Sequence, residues 1–227
     1  MIYIITPTGG REEGLRLLAG YLNAQTYAGP ITWVVVDDCD PVTEIPPMRP
    51  GIAVVSVVPD WTWKPGDNTQ SRCMAEALAH CPDDAVVVVM EDDDAYLPGH
   101  IENVVGALGS ANLVGERVST YYNVATRRWR LLPGRYHASL CSVACKGSAL
   151  AMLREICAVG SRTIDMDLWK RYRGPSKLLE TRNVVGIKGL PGRAGIGVGH
   201  RQTFGDPDPE GAVLKKLLGP MADQYLG

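Results

Sequence analysis

Four consecutive carboxylates, Glu91, Asp92, Asp93 and Asp94, come directly after the apolar run Val86-Val87-Val88-Val89-Met90. Adjacent acids repel, and each raises the pKa of its neighbours unless a cation neutralises them, so packing alone has no use for such a cluster. A divalent metal would supply the missing charge. Mg²⁺ and Mn²⁺ prefer carboxylate oxygen, and Mg²⁺ is usually held by one or two carboxylates together with the phosphates of a substrate. The plainer alternative is a solvated acidic turn ahead of a helix that begins near Pro98, where the helix dipole favours Asp and Glu. Acids recur in two further places: Asp37-Asp38-Cys39-Asp40, and Asp165 with Asp167.

The elements that must carry these groups follow from periodicity. Four β-branched valines and a methionine are too few for a helix and suit a strand buried on both faces. Residues 2–6 form a similar run ending in Thr6-Pro7-Thr8-Gly9-Gly10, and Leu15, Leu18, Ala19 and Leu22 then repeat at helical spacing after Glu12 and Glu13. A second strand over 31–36 ends at Asp37 and Asp38, so carboxylates again sit at a strand end. A third strand spans 52–58. The loop that follows carries Trp61 and Trp63, aromatics that could stack on a sugar or a base or pack as a lid over a helix. Asn68 or Thr69 can cap a helix running to about His80. Strand and helix alternate to this point, as in a parallel, doubly wound sheet, where ligands bind beyond the carboxyl ends of the strands.

After Leu108 the pattern changes. Residues 112–125 alternate irregularly and Thr126-Arg127-Arg128-Trp129-Arg130 reads as the turn and return of a hairpin, which predicts antiparallel pairing. Residues 138–145 look like another strand. Helices are expected from Lys146-Gly147-Ser148 onward and from Ile164, the second with Asp165 and Asp167 in its first turn, and a last strand over 184–187. The Gly-rich stretch 189–201 resembles a mobile loop near a ligand, without a Walker or dinucleotide-binding spacing. His80, His100 and His137 are read as structural.

A chain of 227 residues is long enough to bury a substantial core, and it is read as a single domain with a first half over 1–108 and a second over 109–227. No apolar run approaches the roughly 18 residues needed to span a bilayer. The N-terminus lacks the basic flank and cleavage site of a signal peptide, so a soluble cytoplasmic protein without a membrane partner is expected. The six cysteines form no C-x-x-C pair and are expected as free thiols. Net charge is −2, but its distribution is uneven: residues 1–116 hold 5 Lys/Arg against 17 Asp/Glu, and residues 117–201 hold 16 against 4. Such a division predicts an acidic and a basic side, or mutual neutralisation inside the fold.

In this order, the first strand with Thr6-Pro7-Thr8, the second ending Val36-Asp37-Asp38, the helix from Asn68 and the strand ending in acids resemble the GT-A glycosyltransferases, in particular those of family 2, over roughly residues 2–172. The resemblance implies an α/β GT-A fold, a mostly parallel central sheet flanked by helices with a small antiparallel acceptor-side portion. It implies an enzyme that moves a sugar from a nucleotide-diphosphate sugar, a UDP-sugar in the first instance, to an acceptor hydroxyl, inverting, with Mn²⁺ or Mg²⁺ as cofactor.

By the same resemblance, Met90-Glu91-Asp92-Asp93 is a variant of the acidic metal motif, with Asp93 the metal ligand and Glu91 a ribose or water-mediated partner; an Asp92-x-Asp94 register is the alternative. Asp37 or Asp38 would bind the nucleobase or ribose. Arg72 would face the donor's phosphates or sugar, and Thr6, Pro7, Thr8 and Arg11 belong to the same donor side. Asp165, or Asp167, would take the acceptor's proton, and His200 would complete the metal shell. The basic second half suggests a polyanionic acceptor met by Arg128, Trp129 and Arg130, with Trp61 and Trp63 as stacking candidates. DNA carrying hydroxymethylated pyrimidines, as in bacteriophage DNA modification, is the acceptor considered first; Arg-Arg-Trp-Arg offers phosphate contacts beside a stacking ring. Two other classes remain: a sugar-1-phosphate nucleotidyltransferase, for which Thr8-Gly9-Gly10-Arg11 is a partial phosphate loop, and a non-catalytic nucleic-acid or glycan-binding module on the same fold.

Overall fold

The computed structural model describes residues 1–193, 198–201 and 203–226. In chain order the elements are β1 (Ile2–Thr8), α1 (Glu12–Asn23), β2 (Ile31–Asp37), β3 (Ile52–Val57), α2 (Gln70–Ala79), β4 (Val86–Val89), β5 (Asp94–Tyr96) and α3 (His100–Ala107). The second half continues with β6 (Leu113–Glu116), β7 (Val118–Asn123), β8 (Arg128–Pro133), β9 (Ala144–Cys145), α4 (Gly147–Ala158), α5 (Ile164–Arg171), β10 (Ser176–Leu179), β11 (Val184–Lys188), β12 (Asp206–Pro207), α6 (Ala212–Leu218) and α7 (Asp223–Leu226).

Seven strands form the central sheet in the order β10-β6-β9-β4-β1-β2-β3. All pairings are parallel except those of β9, which runs antiparallel to both β4 and β6. The valines of β4 explain its central place: Val87, Val88 and Val89 are fully buried between two layers, as a strand covered on both faces requires. One layer packs Leu15, Leu18 and Leu22 of α1 against Ile4, Trp33 and Val88. The opposite layer packs Met74 and Leu78 of α2, Leu150 and Leu153 of α4 and Leu168 of α5 against Ile5, Val34, Val87 and Val89.

A second sheet, ordered β12-β8-β7-β11-β5, lies beside the acidic cluster. It contains the expected hairpin, β7 antiparallel to β8, and is antiparallel except where β11 runs parallel to β7. Its order matters for the site. Gly186 of β11 pairs opposite Asp94 of β5, and β11 ends at Lys188, so the strand delivers this lysine to the acids.

Three expectations need correction. Residues 138–145 do not form one strand: Leu140–Ser142 is a 3-10 turn and only Ala144–Cys145 pairs, because the Ser142 hydroxyl is drawn back to the Ser139 carbonyl at 3.0 Å. The strand at 184–188 is not the last, since β12 pairs with β8. The short strands β5 and β10 and the terminal helices α6 and α7 had no counterpart in the pattern. Residues 194–197 of the Gly-rich stretch lie outside the described residues. Among those described, no helix is long and apolar enough to cross a membrane.

Candidate active site

The parallel register brings three strand ends together. Thr6 and Thr8 of β1 reach the residues after β4: the Thr6 hydroxyl donates to the Met90 carbonyl at 2.7 Å and the Thr8 hydroxyl to Asp92 at 2.6 Å. Trp33 Nε1 donates in turn to Thr6 at 2.9 Å. Thr6 is thus a buried clasp between strands, whereas Thr8 stands at the edge of an open cavity. Gly14 at the start of α1 lies so close to the Asp92 carbonyl that a β-carbon there would collide with it, and this approach brings Arg11 within reach of the acids.

Each acid of the cluster has its own surroundings. Half-buried Glu91 accepts from the Gln70 side-chain amide, and its backbone N–H donates to the Tyr96 hydroxyl at 2.7 Å. Burial, reinforced by Asp94 and Asp93, holds its carboxyl well above the usual range. Asp92 is pushed up to about 6 by burial, although Arg11 Nη1 at 2.6 Å and the Thr8 hydroxyl oppose the shift. For Asp93 burial acts in the same upward sense, but Lys188 at 3.0 Å and Arg11 at 3.4 Å outweigh it and hold the carboxyl below its ordinary value. Asp94 is raised to about 6 by burial; Lys188 sits 2.9 Å from Oδ1, while the buried Oδ2 has no hydrogen-bond partner among the described residues.

Four carboxylates therefore face two cations, Arg11 and Lys188. A divalent cation would balance that count, and the donor set fits one. His200 Nε2 lies 3.7 Å from Asp93 Oδ2. Two donors on one ion, each at roughly 2.0 to 2.2 Å, cannot be more than about 4 Å apart, so these two can share an ion. Burial, with the nearby Lys188, lowers the His200 pKa and favours the neutral imidazole that a metal requires. A second grouping shares the cluster: Glu91, Asp94 and the Cys141 thiol offer ligand atoms all within 4.8 Å of one another.

The cavity over this cluster has a volume of about 570 Å³. One wall is formed by Pro7, Thr8, Gly9, Arg11 and residues 68–70 of the first half of the chain, its floor by Glu91 to Asp94 with Lys188 and His200. Its far wall comes from the second half of the chain, with Tyr121, His137, Ser139, Arg162 and Asp165. Asp165 is half-buried, accepts the Met166 N–H at 2.9 Å, and is raised by burial. Asp167 does not line the cavity; it accepts the Ser161 hydroxyl at 2.6 Å.

Several expected contacts lie elsewhere, each for a visible reason. Both oxygens of Asp37 are taken by backbone N–H groups, Cys39 at 3.1 Å and Thr43 at 2.6 Å, so this acid folds its own loop. Asp38 is bound by the Thr69 hydroxyl and by Arg193. Arg72 is exposed and stacks at 3.8 Å on Trp61, so neither reaches the cavity. Trp63 lies against Arg193 and does not line the cavity. Arg128 donates to the carbonyls of Phe204 and Gly205, Trp129 packs on the core, and Arg130 is exposed on β8 away from the cavity. The hairpin that carries these three is tied to β12, which turns it from an acceptor surface into scaffold.

Conversely, His137 lines the cavity rather than the core, and Lys188, Gln70, Arg162 and Arg193 belong to the site without having carried a motif. Lys188, one cation of the basic second half, ends an otherwise apolar strand, Val184-Val185-Gly186-Ile187, and it pairs with Asp93 and Asp94. His100 does keep a structural role, fully buried against Tyr96.

No protein-family model matches the chain, and no curated protein matches it in sequence. Solved structures do match in shape. The crystal structure of S. aureus TarS 1-349 superposes with a TM-score of 0.55 at 13% identity, covering 82% of this chain and 60% of TarS 1-349. TarS 1-349 in complex with UDP-GlcNAc gives 0.57 at 13% identity over 82% and 58%, and the complex with UDP gives 0.55 over 82% and 60%. The chain spans about 60% of the length of TarS 1-349, and what the likeness establishes is the fold: a mixed α/β domain with a mostly parallel central sheet flanked by helices, shared with TarS.

Proposed function

We propose that this protein is a glycosyltransferase that transfers a sugar from a UDP-sugar to an acceptor hydroxyl with inversion. The observation that carries the reading is one continuous cavity with the Glu91 to Asp94 cluster at its floor and Asp165 on the wall contributed by the other half of the chain. That TarS is seen with UDP and with UDP-GlcNAc on the same fold supports the choice of donor.

The chemistry follows from that opposition. The acceptor oxygen attacks the anomeric carbon as the bond to the diphosphate breaks, and Asp165 Oδ takes the hydroxyl proton. Burial raises Asp165, which makes it a stronger base than a solvated carboxylate. A single carboxylate base set opposite the leaving group suits inversion. Asp93 and His200 would hold a Mn²⁺ or Mg²⁺ ion, which supplies Lewis-acid stabilisation of the charge developing on the diphosphate. Lys188 and Arg11 hold Asp93 ionised for that purpose.

His137 and Arg162 line the cavity together with Asp165, which suits an acceptor carrying an anionic group near its hydroxyl. DNA with hydroxymethylated pyrimidines belongs among the acceptors to be assayed, but Arg128 and Trp129 are not the residues that would hold it. The nucleotidyltransferase alternative has less support, since Arg11 is committed to Asp92 and Asp93 rather than free for a triphosphate. A panel of nucleotide-sugars with Mn²⁺ tests the proposal. Slow release of UDP from a UDP-sugar without acceptor is expected; pyrophosphate exchange with a sugar phosphate would support the alternative instead.

A further inference from the structure

Beyond Thr8 and Gly9 the donor end of the cavity is already filled by a side chain. The guanidinium of Arg193 lies 4.8 Å from the centre of the Trp63 ring and donates to the fully buried carboxylate of Asp38, whose other oxygen takes the Thr69 hydroxyl. It presses on Gly9 so closely that a β-carbon there would overlap it. The Arg193 carbonyl accepts from Arg11 Nε at 2.7 Å, which fixes the backbone beneath the side chain. Yet Nη1 of the same guanidinium is buried without a hydrogen-bond partner among the described residues. A buried donor left without an acceptor penalises the arrangement.

This place at the ends of β1 and β2 has a definite chemistry. It offers an aromatic face, a floor with no side chain at Gly9, and a desolvated carboxylate at one edge. A planar group with an edge N–H satisfies all three. Arg193 meets them incompletely, whereas a uracil ring brings a stacking face and a ring N–H for Asp38 and leaves no buried cationic donor unpaired. Cytosine, whose corresponding ring nitrogen carries no proton, would set a lone pair against the carboxylate.

We infer that Arg193 is an internal occupant of the nucleobase seat, displaced when the nucleotide of the donor binds. The inference rests on the donor reading above. While the seat is filled by Arg193 the protein cannot take the base, so the apparent affinity for nucleotide is reduced by the fraction of time the seat is open.

Calorimetric titration of uridine and of UDP into the wild-type protein, Arg193→Ala and Arg193→Gln tests it, with thermal unfolding to show which variants are folded. Uridine isolates the seat from any contact to phosphate. Both variants should bind uridine and UDP more tightly, by about tenfold if the seat is closed some nine-tenths of the time. Equal or weaker binding of uridine by a folded variant, with UDP still bound by the wild type, overturns the occupant and leaves the donor reading standing. No binding of UDP by any of the three proteins overturns both.

Discussion

Asp165 and Asp167 stand two residues apart on α5 and meet different surroundings: Asp165 lines the cavity, whereas Asp167 is held by the Ser161 hydroxyl at 2.6 Å. The spacing alone left the pair equivalent. A helix turns about 100° per residue, so two positions apart they project in nearly opposite directions, and only one can face the cavity.

That difference predicts the base. Asp165→Asn should keep nucleotide binding and lower transfer by about 10² to 10⁴ fold, because the amide holds the shape but cannot take a proton. Asp167→Asn should leave transfer within a few-fold. Since the base acts ionised and its pKa is raised, wild-type transfer should climb as pH rises through that raised value and then level off. Steady-state rates across pH check this, and a wild-type profile in Asp165→Asn would remove Asp165 from the role.

Asp93→Ala should abolish the Mn²⁺-dependent part of UDP binding, since Asp93 is the acid held ionised and within reach of His200. His200→Ala should weaken the same term. Calorimetry with and without Mn²⁺ reads both, and unchanged Mn²⁺ dependence in Asp93→Ala would falsify the ligand assignment.

Lys188 is buried, and its ammonium bridges Asp93 at 3.0 Å and Asp94 at 2.9 Å. Lys188→Met should cost about 3 to 5 kcal/mol, the usual consequence of leaving buried charges unpaired. Added Mn²⁺ should recover part of that loss. Denaturant unfolding measures it; a cost below about 1 kcal/mol would show the pair to be no more than a surface-type contact.

The first half of the fold was legible because buried parallel strands write themselves as β-branched runs: Ile2–Thr8, Ile31–Asp37 and Val86–Val89 are found where the pattern put them. The acids at their ends were legible for the same reason, as charge where packing cannot explain it. What stayed hidden depends on long-range contact. Arg72 and Arg193 are equivalent as letters, and only the chain path places one on Trp61 and the other on Asp38. Arg128-Trp129-Arg130 looked like a binding surface because nothing local shows that β12 will cover that hairpin. Short strands such as β5 owe their pairing to neighbours rather than to their own residues.

His100 gives a prediction independent of function. It is fully buried with no hydrogen-bond partner for either ring nitrogen among the described residues, and burial lowers its pKa to about 3. Unfolded, the imidazole titrates near 6.5, so between these values the unfolded state holds the extra proton and stability falls as pH drops. From pH 7 to pH 5 the wild type should lose about 2 kcal/mol more than His100→Leu. Equal losses in the two proteins would show that the imidazole is protonated in the folded state.

The central claim is that the cluster after β4 and the cavity above it turn over a UDP-sugar. Its most direct test is UDP release from UDP-GlcNAc and related UDP-sugars in the presence of Mn²⁺, measured side by side for the wild type and Asp93→Ala. UDP release by the wild type from at least one donor, with none from the variant, is the predicted result. Absence of release from every donor, or release that Asp93→Ala leaves untouched, would contradict the account.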